Sequence, residues 1–562
     1  MRTSLIRLSQ AGALLALALL GPAAARAAGS APQGQLPAGQ VQIDILYTSD
    51  LHGHIGPEAA TFMNPQFPPP LGGGASAATY IKRVREEAAK AGRGVLLIDS
   101  GDLFQGTPVG MFTHGKAIIE WMNDMNYTAA TFGNHDFDLG VENARALVEE
   151  AKFPVLCANV FDAATGQRVP WVKDMILVEC AGLKVAIIGL DTEATQQLSF
   201  AKNISGLEFR PVDQMLPDLV KAARAQGAQL VLCPVHAGLP YKPSLQNYYR
   251  DMIDAEKRGE KPKVYDAMEL AHYVPGIDVL FAGHTHQGYD VPWEDPVTHT
   301  VVVEPYANGS SLGHITVTYD LNAKTLVGYD THYDRGALVT LYPDEFWPDQ
   351  GVAETINQEV AQAEQGLDDV VGETRVNLER GSPEKGTLGA LVTDAIREQT
   401  AADLAVQNTG GVRADIAPGT VTKRNCLTVL PFDNQLVTAR MSGELVRRML
   451  EQKVSRNSIG LYVSGVVVRV DPARPAGQRV LSVEVNGAPL DPQKIYTVAM
   501  TNFLQEGNSG MTVMREVPDD SVYATRYSDR EALQNYIERH TPIDRRSETR
   551  WVRAQSPEAA PQ

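Results

Sequence analysis

From residue 41 onward the chain alternates short apolar runs with longer amphipathic segments. The runs cover 41–47, 95–98, 129–132, 155–156, 185–190, 230–232 and 279–281. Each predicts a buried strand, being short, apolar and largely β-branched or aliphatic. Between them, segments 77–91, 116–125 and 141–151 carry apolar residues at helical spacing. This alternation predicts an α/β sandwich with helices covering the sheet faces. Runs 301–303 and 314–319 close that unit, and 334–350, with its Tyr, Pro, Trp and Asp, predicts a loop. Val352, Ile356, Val360, Ala363 and Leu367 then share one helical face, which predicts a linker helix over 351–369. A second unit follows, with helical patterns at 388–400 and 442–453. Its strand-like runs are 403–407, 436–441, 463–470, 480–485 and 495–500. The expected units are 41–335, a linker with helix at 336–370, and 371–552, with a Pro/Ala/Gln-rich tail at 553–562.

Five short polar motifs recur along the first unit, and nearly all of them follow an apolar run. They are Asp50-Leu51-His52, Gly101-Asp102, Gly133-Asn134-His135-Asp136, an isolated His236, and Gly283-His284-Thr285-His286. Ligand sites in open α/β sheets lie just past strand ends. The chemistry is uniform: carboxylate, imidazole and one amide oxygen, without thiolate. Such a set suits two adjacent divalent ions and metal-assisted hydrolysis of a phosphate ester. Asp50 and His52 stand two apart, so in extended chain both point the same way, toward one ion. Asp102 has two oxygens and is the natural bridge between ions. Asn134 offers a neutral oxygen, and His236, His284 and His286 complete the set. Two ions about 3.5–4 Å apart would hold a hydroxide for attack at phosphorus and stabilise charge on the phosphoryl oxygens. His135 sits beside a ligand, and Asp138 three residues on is its expected partner, orienting the imidazole toward substrate or leaving group. His114, His272, His299, His314, His332 and His540 lack such company and are read as structural or surface residues.

The N-terminus changes the picture of where this chemistry takes place. Arg2 and Arg7 precede an apolar stretch at 11–20, then small residues to Ala27. That is the pattern of a cleaved secretory signal over 1–27. Its apolar core falls short of the ~20 residues a membrane span needs. Residues 28–40, mostly Gly, Pro, Gln and Ala, predict a disordered leader. Residues 1–27 hold three Arg and no acid, so cleavage takes the formal charge from −17 to −20. So acidic a chain disfavours nucleic-acid polymers as partners, while metals and a few Arg still admit a small anion. The four Cys show no CxxC spacing, and three lie in apolar, strand-like runs. Buried free thiols are preferred over a zinc cage, with one disulfide left open.

Taken together, Asp-Leu-His-Gly-His, Gly-Asp-Leu-Phe-Gln-Gly, Gly-Asn-His-Asp-Phe-Asp, His236 and Gly-His-Thr-His resemble the motif series of the calcineurin-like metallophosphoesterases. The whole mature chain resembles the bacterial 5′-nucleotidase/UDP-sugar hydrolase/2′,3′-cyclic phosphodiesterase family. The resemblance implies an N-terminal αββα metallophosphoesterase sandwich, a linker helix and a C-terminal α+β substrate-binding domain. It implies Asp50, His52, Asp102 and His286 at one metal, and Asp102, Asn134, His236 and His284 at the other. It implies His135 and Asp138 as the catalytic pair. The two divalent ions are unidentified, since oxygen and imidazole ligands fit Mn, Zn, Co, Fe or Mg.

Further matches lie in the second unit. Gly410-Gly411-Val412-Arg413 resembles the family's Gly-Gly-Ile-Arg, Pro431-Phe432-Asp433-Asn434 its Pro-Phe-Gly-Asn, and Asn502-Phe503 the start of its last motif. Phe432 and Phe503 are suited to sandwich a base, with Asn434 on its edge. Arg413 is suited to phosphate oxygens, and Arg380 is a candidate second phosphate-binding Arg. In the last motif Ser509 stands where the family carries a sugar-binding Asp, which removes a charge from the site but keeps a hydrogen-bonding group.

The resulting expectation is a monomeric, periplasmic or secreted dimetal phosphohydrolase without a stable membrane anchor. Its substrate would be a small nucleotide or another phosphoester: a nucleoside 5′-monophosphate, a UDP-sugar or a 2′,3′-cyclic nucleotide. Two alternatives stand beside it. One is a related hydrolase for a non-nucleotide phosphoester or a sulfur ester, as in thiosulfohydrolases. The other is a nucleotide-binding protein that has lost catalysis.

Overall fold

The computed structural model describes residues 36–60, 63–64, 67–240, 244–262, 264–331, 336–432, 434–545 and 548–554. The expected signal, most of the leader, His332 and the tail from 555 lie outside the described residues.

Two six-membered strand paths face each other in the N-terminal half. In the first, the order is Thr325–Thr331, Ser311–Asp320, Gln40–Thr48, Gly94–Asp99, Ala129–Thr131 and Val155–Leu156, with Leu338–Thr340 also paired to Ser311–Asp320. The last four of that order are mutually parallel. The second runs Trp293–Glu294, Val301–Val303, Val279–Phe281, Leu230–Pro234, Leu183–Ile188 and Met175–Cys180. Its central strands are also parallel.

Side-chain alternation along these strands sorts the core into three layers. Ile43, Ile45, Tyr47 and Ile98 meet Val185, Ile187, Leu232 and Phe281 between the sheets. Leu46, Leu97 and Ala130 point the other way, under helices Gly73–Ala91, Lys116–Asp124 and Val141–Glu150. Ala186, Ile188, Val231 and Leu280 lie under Val212–Ala225, Leu245–Lys257 and Ala267–Tyr273. The result is helix, sheet, sheet, helix, and both sheets aim their strand ends at one edge.

The helix expected as a linker spans Gln350–Ala363, ending well before residue 369. Asp349 caps it, accepting from the Val352 N–H at 3.1 Å. Ile356 is buried among the residues of the outer core of the first sheet, and Val352, Val360 and Ala363 pack against it. The helix is therefore part of the N-terminal core rather than a free tether.

The C-terminal half centres on five strands in the order Leu461–Ser464, Leu404–Asn408, Ile495–Thr501, Gln435–Ser442 and Val522–Ser528. Helices Thr387–Thr400 and Asp529–His540 cover one face through Leu391, Ile396, Leu533 and Ile537. Helix Gly443–Gln452 and a small sheet containing Val466–Val470 and Val480–Val485 cover the other. Arg553, expected in the tail, instead ends the strand Trp551–Arg553, which pairs in parallel with Val466–Val470. All four cysteines are buried free thiols.

Candidate metal centre and interdomain cleft

Every expected ligand lies two to five residues past a strand end. Asp50 and His52 come after Gln40–Thr48, Asp102 after Gly94–Asp99, and Asn134 after Ala129–Thr131. His236 comes after Leu230–Pro234, and His284 and His286 after Val279–Phe281. Contributions thus come from both sheets. Five of these residues, Asp50, His52, Asp102, His284 and His286, have φ between 47° and 72°. Non-glycine residues rarely take that left-handed conformation, and its clustering here marks backbone held in place for function.

The ligand atoms form two groups, Asp50 with His52 and His286, and Asp102 with His236 and His284. Within each group the atoms lie within 4.8 Å of one another. The groups adjoin: His52 Nε2 is 3.0 Å from His286 Nε2 and 3.6 Å from Asp102 Oδ2. His236 Nε2 is 3.1 Å from the same Asp102 oxygen. Behind the site, His52 Nδ1 faces the Gln105 carbonyl at 2.6 Å and His236 Nδ1 the Ser100 carbonyl at 2.8 Å. Those outer bonds place the proton on Nδ1 and leave each Nε2 lone pair facing inward, as metal ligation requires. Asn134 Oδ1 is buried with no hydrogen-bond partner in the protein. A buried acceptor without a partner is costly, and a cation satisfies it. The donor set fits two hard or borderline divalent ions.

The loops are held from beneath by two buried carboxylates that the sequence motifs did not single out as site residues. Asp136 Oδ2 accepts from the Asp102 and Gly133 N–H groups at 2.9 and 2.8 Å, and Oδ1 from Leu103 N–H at 2.9 Å. Glu304 accepts from the Thr285 hydroxyl at 2.6 Å and the Leu239 N–H at 2.8 Å. It thereby fixes Thr285 between His284 and His286. Gly133 is required by space alone, since a Cβ there would lie 2.6 Å from His236 Nε2.

His135 stands at the rim, its N–H donating to Asp102 Oδ1 at 2.8 Å and its Nδ1 2.7 Å from Asp138 Oδ2. Burial alone would lower its pKa, but the Asp138 and Asp102 carboxylates outweigh that and push it up to about 9. The imidazole is thus oriented by Asp138.

A cleft of about 720 Å³ runs from this rim to the C-terminal half. Asp102, Asn134, His135, Asp138, His284 and His286 line one side, and Arg413, Phe432, Asn434, Phe503 and Ser509 the other. The Phe432 ring stacks on His135, centroids 5.8 Å apart, and the Arg413 guanidinium lies 5.7 Å from the Phe432 centroid. Phe503 meets Phe200 of the N-terminal half edge-on at 5.5 Å.

Family comparisons agree with this geometry. The calcineurin-like phosphoesterase family model matches residues 43–288, and the 5′-nucleotidase C-terminal domain model matches 361–516. Together they cover well over half of the chain. The chain belongs to the 5′-nucleotidase family of calcineurin-like phosphoesterases. It is a metal-dependent phosphoester hydrolase. Protein UshA of Yersinia enterocolitica is 28% identical over 89% of this chain and 92% of its own length. The crystal structure of a 5′-nucleotidase precursor from Thermus thermophilus superposes with a TM-score of 0.77 at 27% identity, covering 92% of this chain and all of that one. The sulfate thiohydrolase SoxB of Thermus thermophilus shares the fold, with a TM-score of 0.71 at 19% identity over 95% of this chain and 99% of that one.

Membership of this 5′-nucleotidase family implies divalent metal ions, and the two ligand groups are the candidate sites for them. One expected substrate contact is placed elsewhere. Arg380 does not line the cleft; its Nε donates to Asp415 Oδ1 at 3.1 Å and its Nη1 to the Arg413 carbonyl at 2.7 Å. In this arrangement it braces the chain at Arg413. His114, set aside in the sequence, does line the cleft, as do Phe200, Lys202 and Asn203. No local motif marks these four, because their position depends on the approach of the two halves. The other described histidines set aside have structural partners. His272 faces Asp295 at 2.9 Å, His299 faces Glu294 at 3.0 Å, and His540 faces Glu398 at 2.8 Å. His314 Nδ1 faces the Tyr80 hydroxyl at 2.7 Å.

Proposed function

We propose that this hydrolase cleaves nucleoside 5′-monophosphates at a two-metal centre, outside the cytoplasm. The observation that carries the reading is the single cleft shared by the ligand groups and by Phe432, Phe503 and Asn434. A phosphate at the ligand groups leaves its nucleoside facing two aromatic rings and an amide, the groups that hold a flat heterocycle. A small sulfur ester or a simple phosphoester has no use for them. UshA and 5′-nucleotidase relatives support the nucleotide reading, and the secretory pattern over 1–27 supports export. Among the described residues no helix is long and apolar enough to cross a membrane.

Asp50, His52, His286 and Asp102 would hold one ion, and Asp102, Asn134, His236 and His284 the other. Bound there, the ions supply an activated water and neutralise charge on the phosphoryl oxygens. His135, oriented by Asp138, donates to the phosphate and protonates the leaving sugar oxygen as its bond to phosphorus breaks. The water oxygen becomes the fourth oxygen of inorganic phosphate. Arg413 pairs with phosphate oxygens, and the Phe432 ring seats the base.

Phosphate release tests this, with AMP, UMP, UDP-glucose, 2′,3′-cyclic AMP and bis-p-nitrophenyl phosphate, with Mn²⁺ and then with chelator. Metal-dependent release from the monophosphates is expected. Turnover of the generic ester alone would overturn the nucleotide reading and turn attention to a sulfur ester or another phosphoester. Nucleotide binding without turnover of any ester would return the chain to the non-catalytic reading.

A further inference from the structure

Ser509 lines the cleft on the same side as Phe503 and Asn434. Its loop is tight: Gly507, Ser509 and Gly510 all have positive φ, of 88°, 52° and 74°. Behind it stands Lys453, whose ammonium donates to the Ser509 carbonyl at 2.6 Å and to its Oγ at 3.2 Å. Lys453 is partly buried, and burial lowers its pKa. Among the described residues no carboxylate pairs with it. A second cation sits against the same loop, since a Cβ on Gly507 would lie 3.0 Å from Arg515 Nε. Arg515 also has no carboxylate partner among the described residues.

This arrangement fixes the polarity of the cleft edge. A hydroxyl that accepts from an ammonium turns its own proton outward, so Ser509 presents a donor to the cleft. The positive charge behind it, without a carboxylate partner among the described residues, strengthens that donor and attracts negative charge. A neutral sugar hydroxyl makes little use of such an edge. A phosphate oxygen does.

On the reading of a nucleotide in the cleft, we propose that the Lys453–Ser509 pair selects substrates with a second phosphate on the sugar: nucleoside 5′-monophosphates also phosphorylated at the 2′ or 3′ position. The 5′-phosphate goes to the ligand groups and is hydrolysed as above. The second phosphate accepts from Ser509 and is not cleaved. Lys453 acts through Ser509 and is a specificity-determining residue, not a catalytic one.

The test compares kcat/KM for adenosine 3′,5′-bisphosphate and AMP with the Mn²⁺-loaded full chain and with Lys453→Gln, Lys453→Arg and Ser509→Ala. Far-UV dichroism and the thermal midpoint report folding of each variant. The ratio of the two kcat/KM values cancels any general loss of activity. The wild-type ratio is expected to favour the bisphosphate by about tenfold, the size of one charge-assisted hydrogen bond. It should fall toward unity in Lys453→Gln and Ser509→Ala and persist in Lys453→Arg. A wild-type ratio near unity while AMP is turned over overturns this proposal alone. A preference that survives Lys453→Gln also overturns it. Failure of both nucleotides while p-nitrophenyl phosphate is cleaved overturns the nucleotide reading and the proposal with it.

Discussion

The Phe432 ring and the His135 imidazole lie nearly parallel, 21° apart, with centroids at 5.8 Å. One belongs to the C-terminal half and the other to the loop that follows Ala129–Thr131 in the N-terminal half. The aromatic group proposed to read the base therefore touches the group proposed to move the proton. Replacing Phe432 by Ala should lower kcat/KM for AMP about tenfold more than for p-nitrophenyl phosphate, since stacking on one ring contributes ~1–3 kcal/mol. Equal losses on both esters would show that Phe432 serves His135 and not the base.

His135→Ala should reduce kcat by about 10²–10⁴, the usual range for a general acid. Metal content, measured by plasma mass spectrometry, should stay at the wild-type level, because His135 meets Asp102 through its backbone N–H. Asp138→Asn should cost less, by loosening the ring without removing it.

Asp102→Ala removes the carboxylate proposed to bridge the two ions. The variant should lose metal and activity together. Chelation of the wild type should abolish turnover and lower the thermal midpoint, as removal of a ligand that binds only the folded state must. A variant with full metal content and full activity would remove Asp102 from the bridging position.

Glu304→Ala leaves Thr285 and the Leu239 N–H without their buried acceptor. Metal affinity should fall roughly 10–100-fold, the range for partners behind metal ligands. Glu304→Gln keeps an oxygen in place and should retain more affinity. Equal affinities in wild type and Glu304→Ala would reduce Glu304 to ordinary packing.

Stability of the C-terminal half should respond to acid through Asp394. This carboxylate meets Arg545, Arg550 and the Ser464 hydroxyl, and Arg550 Nη2 lies at 2.8 Å. Burial acts to raise its pKa, but the two guanidinium groups and Ser464 win and hold it below the ordinary range. A folded-state pKa below the unfolded value of ~3.9 adds stability that is present above that value and lost as pH falls through the folded one. Denaturant midpoints should therefore drop below about pH 4, and less steeply in Asp394→Asn. At neutral pH that variant should lose about 1–3 kcal/mol, because Arg545 and Arg550 then keep only the more exposed Glu548, at 3.0 Å from each, as a carboxylate partner.

The two candidate ligand groups could be anticipated from the sequence because each expected ligand follows an apolar run, and parallel strands deliver the residues past their ends to one edge. His135 and Asp138 were legible because they are three residues apart. Glu304 was not, since an acid after Val301–Val303 looks like any strand terminus until Leu239 and Thr285 arrive 65 and 19 residues away. Lys453 is 56 residues from Ser509, and its meaning exists only in that contact. Arg380 was read as a candidate phosphate contact, but its side chain is placed on Asp415 outside the cleft lining, a pairing 35 residues apart that no local motif announces. The helix over Gln350–Ala363 announced itself by period, but period does not say which core it joins.

Because Asp50, His52 and Asp102 hang from one sheet while His236, His284 and His286 hang from the other, the spacing of the centre is set by the thickness of the packed layer between the sheets. Tyr47 and Phe281, 5.5 Å apart in that layer, act as its gauge. The 3.0 Å approach of His52 to His286 crosses from one sheet to the other. A change of volume deep in the interior therefore acts at the surface cleft as a change in the spacing of the two candidate ligand groups, set by hydrocarbon far from either.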